Sequence, residues 1–77
     1  MSATIRPFLK GEVFDPLQVE AMGQAFDKVT EALDGKAQSR VVREVIATKI
    51  IAIAKNGERD PEKLYDGTIK ALGVKLP

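Results

Sequence analysis

The chain has no cysteine, no histidine and no tryptophan. Without cysteine there is no disulfide framework, no thiol nucleophile and no thiolate metal site. Without histidine the commonest general base and the commonest transition-metal ligand are missing, and a serine nucleophile lacks its usual activating base. Aromatics make up 5% of the residues, too few for a surface on which single-stranded bases stack. No sign of charge prevails: 12 basic against 11 acidic side chains leave +1. The pI near 8.0 is below the strongly basic range of a dedicated nucleic-acid binder. The longest uninterrupted apolar run is Ile50–Ala54, far short of the ~18 residues a membrane helix needs. Met1-Ser2-Ala3-Thr4-Ile5-Arg6-Pro7 contains no apolar secretory core, so the expected location is the cytoplasm.

What is present is globular composition: 44% apolar and 30% charged residues over 77 positions. That length makes one small domain, which buries only about 60–65% of the surface of its unfolded chain. Its stability is marginal, so either the helices pack unusually well or a second chain completes the core.

Three segments carry helix grammar. The first opens at Phe14-Asp15-Pro16. Asp15 can cap, Pro16 occupies the first helical position where a missing N–H costs nothing, and Gln18 is placed to close a capping box. Val19, Met22, Phe26, Val29 and Leu33 then recur at steps of 3, 4, 3 and 4, a narrow helical stripe. Asp34-Gly35 supplies the stop. The second helix is read from Ser39 to Asn56, with Ser39 as cap and Gly57 as stop. It is rich in β-branched residues, but so long a stretch without Gly or Pro exceeds an ordinary strand. Val42, Val45, Ile46, Ile50 and Ile53 form one broad apolar face, and Ala47, Ile51 and Ala54 a second stripe. A helix apolar on two sides is expected to be central. The third helix repeats the cap-then-proline device at Asp60-Pro61, turns Leu64, Tyr65, Thr68, Ile69 and Leu72 inward and stops at Gly73. Gly67, mid-helix, weakens it by about 1 kcal/mol relative to Ala and is expected where the third helix comes close to the central one.

The fold class expected is therefore all-α: three helices at about 16–34, 39–56 and 61–72, in one domain spanning 14–77. Residues 1–13, interrupted by Pro7 and Gly11, are read as an extended arm that lays Phe8 and Leu9 over the helices. Residues 1–34 carry net charge −3 and residues 35–55 net +4, which favours an acidic first helix beside a basic second one.

Phe14-Asp15-Pro16, Glu20-Ala21-Met22-Gly23, Ala25-Phe26-Asp27 and Gly57-Glu58-Arg59-Asp60-Pro61-Glu62-Lys63-Leu64 resemble stretches of a group of short bacterial helical proteins of uncharacterised function. The likeness covers about half the chain. It implies an all-helical cytoplasmic bacterial protein and carries no catalytic or binding residues across.

Candidate sites follow from elimination. Catalysis and a cofactor are not expected. The acids Asp60, Glu62 and Asp66 suit a helix dipole better than a metal, and no Asp-x-Asp-x-Asp-Gly loop is present. Lys49 falls inside the broad apolar face. Either it pairs with a carboxylate of the first helix (Glu20, Asp27 or Glu31) or its stem packs while the ammonium reaches water. Protein–protein binding, with another protein or a second copy, fits best. Ala47, Ile51 and Ala54 would form the docking core, with Arg40 and Arg43 at the rim. Alternatively the N-terminal arm covers that stripe within the chain. The reading from another class is DNA binding through the basic second helix, led by Ser39, Arg40 and Arg43.

Overall fold

A computed structural model of the chain describes residues 5–9, 11–33 and 39–73, and these form helices without any strand. After a short 3-10 turn at Arg6–Phe8 come α1 (Pro16–Leu33), α2 (Arg40–Lys55) and α3 (Pro61–Leu72). Each helix packs against the other two, and the 3-10 turn rests on α2.

The local signals act as their chemistry requires. The Gln18 N–H donates to Asp15 Oδ1 at 2.8 Å, the Val41 N–H to Ser39 Oγ at 3.1 Å and the Glu62 N–H to Asp60 Oδ1 at 3.0 Å. Three helix starts are thus satisfied by side chains. Gly57 and Gly73 end α2 and α3 at φ of 99° and 70°, the left-handed region where a Cβ is costly. The stop expected at Asp34-Gly35 lies outside the described residues.

The core is a single cluster in which Met22, Ala25, Phe26 and Val29 of α1 meet Ile46, Ala47, Ile50, Ile51 and Ala54 of α2 and Leu64 of α3. Ile5 joins it, fully buried, and the Phe8 ring lies 6.0 Å from that of Phe26. The described part of the arm, from Ile5, is therefore part of the folded unit. One turn of it is 3-10 rather than extended, closed by the Phe8 N–H donating to the Ile5 carbonyl at 2.9 Å.

Two polar ties hold the elements in register. Gln18 is buried, but its side chain does not close a capping box. Its Nε2 donates instead to the carbonyls of Ala54 at 2.8 Å and Glu58 at 3.2 Å, clamping the start of α1 to the end of α2. Around this clamp Lys55 pairs with Glu12 at 2.7 Å and Arg59 with Asp15 at 2.6 Å. On the far side Lys28 of α1 pairs with Glu62 of α3 and stands 5.0 Å from the centre of the Tyr65 ring. The hydrogen bond to Glu62 holds the Lys28 ammonium above lysine's ordinary pKa, against some desolvation.

Gly67 lies at the close approach its position implied. A Cβ there would meet Ile53 Cδ1 at 2.9 Å. Thr68, beside it, is fully buried, and its hydroxyl has no hydrogen-bond partner among the described residues.

Candidate partner-binding face

At 100° per residue the burial of α2 describes one continuous arc, not two opposed faces. Ile46, Ile50, Ala54, Ala47 and Ile51 are all buried and point the same way, with Val42 and Ile53 half-buried at its edge. The two stripes read from the sequence are the two halves of this arc. Ala47, Ile51 and Ala54 are accordingly core residues. Ile51 is 8% exposed and shares the cluster with Ile5, while Phe8 packs against it. The chain's own fold covers the stripe, with Phe8 of the arm beside Ile51 and Gln18 of α1 at Ala54, so the stripe is not a surface on which a partner could dock. Arg40 and Arg43, expected as its rim, are both exposed on the opening turn of α2, away from Ile51 and Ala54.

Lys49 makes no ion pair with any described residue. It is half-buried, the pattern of a stem lying on apolar neighbours with the ammonium at the edge. The pairing with Glu20, Asp27 or Glu31 is not formed.

The opposite side of α2 is what the fold leaves open. Val41 is 72% and Val45 43% exposed. Thr48 and Ala52 are exposed too. These four recur at steps of 4, 3 and 4 and form an uncharged ridge along α2. Thr48 turns its hydroxyl back onto the helix, donating to the Glu44 carbonyl at 2.8 Å, so that donor is satisfied within α2. The ridge borders a shallow groove between the arm (Phe8, Glu12) and α2 (Glu44, Thr48, Ile51, Ala52, Lys55). Glu44 and Lys49 flank the ridge on its two sides, and neither has an ion-pair partner among the described residues.

The sequence pattern assigns Val45 to the inward face and Val41 to none, and the structure corrects the first. The signal that would find the ridge is the spacing of Val41, Val45, Thr48 and Ala52, opposite to the Ile46–Ile50–Ala54 line. It is masked because α2 is apolar over most of its circumference. Two further exposed apolar residues, Val13 and Leu17 at the start of α1, are 94% and 76% exposed. Near them a second recess runs past Phe14, Gln18 and Arg59, walled by the ion pairs of the Gln18 clamp.

No helix among the described residues is long and apolar enough to cross a membrane, and no group of three acidic side chains there converges as a metal site would require. No protein-family model, curated protein or solved structure matches the chain significantly, so a functional reading rests on the residues themselves.

Proposed function

We propose that the protein is a small, non-catalytic regulatory or adaptor module that binds another protein chain through the outer face of α2. The observation that supports this is the exposure of Val41 and Val45 on an uncharged ridge beside a groove. Single exposed apolar side chains are ordinary on protein surfaces, but two β-branched residues one turn apart, continued by Thr48 and Ala52, form a contiguous stripe. Helix-in-groove and helix-on-helix docking read such i, i+4, i+7 anchors. The docking core thus moves from Ala47, Ile51 and Ala54 to the opposite side of the same helix, and Arg40, one helical repeat before Ala47, stays behind on the side that turns inward. A nucleic-acid role would rest on Arg40 and Arg43. The chain's net charge of +1 and pI near 8.0 fall below the strongly basic range of a nucleic-acid binder, which favours protein contact.

A photo-crosslinking residue placed at position 45, compared with one at Lys63 on exposed α3, tests this in the native cell. Adducts of defined mass from position 45 that are lost on Val41→Glu are expected. Equal labelling from both positions, or none from position 45, contradicts the assignment of this face.

A further inference from the structure

We infer that the partner on the α2 ridge is a second copy of this chain, held parallel and in register. This inference rests on the outer face of α2 being the binding face.

The ridge has the period of a coiled-coil seam. Steps of 4, 3 and 4 place Val41 and Thr48 at d positions and Val45 and Ala52 at a positions, and a β-branched residue at a favours two strands. That assignment puts Glu44 at g and Lys49 at e. In a parallel, in-register pair the g position of one helix faces the e position five residues further along its partner. Glu44 would meet the partner's Lys49, and by symmetry the contact forms twice. Both side chains lack an ion-pair partner among the described residues, whereas Lys28–Glu62, Lys55–Glu12 and Arg59–Asp15 each tie separate parts of the fold together.

The alternative arrangements use these charges badly. In an antiparallel pair g faces g and e faces e, so Glu44 and Lys49 lie on opposite sides of the seam and neither finds its complement. An unrelated apolar helix would cover the valines but leave both charges at the edge unanswered. The seam also ends where the fold requires. Lys55 is the next d position, and its ammonium is drawn aside to Glu12 at 2.7 Å, which keeps two lysines from meeting across the axis. From Val41 to Ala52 the seam is roughly 17 Å long at 1.5 Å per residue. That is short, and the dimer is reversible rather than permanent.

Sedimentation equilibrium of the full chain between about 10 µM and 1 mM brackets such an affinity. The wild type is expected to self-associate. Glu44→Lys and Lys49→Glu should each raise the dissociation constant about tenfold, by turning two attractions into two repulsions. An equimolar mixture of the two variants should recover wild-type association. In the mixed pair the introduced lysine of one chain faces the introduced glutamate of the other, and the native Glu44 faces the native Lys49. Glu44 is exposed, so Glu44→Lys folds whatever Lys49→Glu does, and the double reversal on one chain gives the same rescue. A wild type that stays monomeric throughout overturns self-pairing. The α2 face as a binding surface then stands or falls separately on the crosslinks from position 45. Self-association that both reversals and Ala52→Glu leave unchanged places the contact elsewhere and overturns the inference, again leaving the α2 face to the crosslinks. Association weakened by Ala52→Glu but not rescued in the mixture overturns the parallel register.

Discussion

Replacing Gln18 by Met tests how the start of α1 is held to the end of α2. Met keeps nearly the same volume and length, fits irregular sites and removes only the amide. The wild-type amide makes two donations across the fold, to the carbonyls of Ala54 and Glu58. Ala54 keeps a second donor in the Gly57 N–H at 2.9 Å, whereas no other donor to the Glu58 carbonyl is seen among the described residues. At a net ~0.5–1.5 kcal/mol each, their loss should destabilise the protein by about 1–3 kcal/mol. A domain of this length holds roughly 4–12 kcal/mol in all, so the midpoint of thermal unfolding should fall by roughly 5–20 °C. Gln18→Glu sharpens the test. The carboxylate would face two carbonyls, so the folded state would favour its protonated form and raise its pKa above the ordinary ~4.3 of glutamate. A folded-state pKa that is raised for an acid means stability present at low pH and lost as pH rises through and above the unfolded value. Gln18→Glu should therefore lie closer to wild type at pH 4 than at pH 7. Denaturant titrations of all three proteins at both pH values give the numbers. A Gln18→Met protein within about 0.5 kcal/mol of wild type, or a Gln18→Glu deficit independent of pH, would refute the clamp.

Thr68→Val replaces a buried hydroxyl that has no partner among the described residues by a methyl of the same shape. It should stabilise the fold by about 1 kcal/mol, and a loss of stability in urea would show that the hydroxyl is satisfied. Gly67→Ala gains up to ~1 kcal/mol of helix propensity but presses on Ile53 Cδ1. In an Ile53→Val background, which removes that methyl, the same substitution should be more favourable by about 0.5 kcal/mol or more, and a strictly additive double-mutant cycle would contradict the close contact. The Lys28–Glu62 pair raises the lysine's folded-state pKa. Its contribution is present below lysine's unfolded pKa and is lost as pH rises through the raised value. In Glu62→Gln, Lys28 should deprotonate at lower pH than in wild type, as followed by NMR of its Cε and Nζ. An unchanged midpoint would mean the pair does not form in solution.

Punctuation is the legible part of the fold. Asp15, Ser39 and Asp60 act through bonds between near neighbours, so their roles follow from local chemistry, as do those of Gly57 and Gly73. Gly67 can be read because only a close approach makes a mid-helix glycine worth its cost. The direction in which α2 buries itself is not legible. Val45, Ile46, Ile51 and Ile53 cover most of its circumference, and which arc turns inward is decided by α1, α3 and the arm carrying Ile5 and Phe8, all distant in sequence. Gln18 reads as a residue of its own helix end because local bonds are the only ones a sequence shows. Its actual acceptors lie 36 and 40 residues away. The candidate site suffers the same way: Ala47, Ile51 and Ala54 do form a stripe that needs cover, but the cover comes from the chain's own fold, the arm and α1 among it. The open ridge through Val41 and Val45 emerges only once that cover is in place.

Whether two copies pair through α2 is read out by a dilution series followed by amide NMR. Between about 1 mM and 20 µM, a range that spans weak self-association, concentration-dependent shifts are expected at Val41, Glu44, Val45, Thr48, Lys49 and Ala52 and nowhere else. Spectra that superimpose throughout, or shifts centred on Val13 and Leu17 instead, would contradict that pairing.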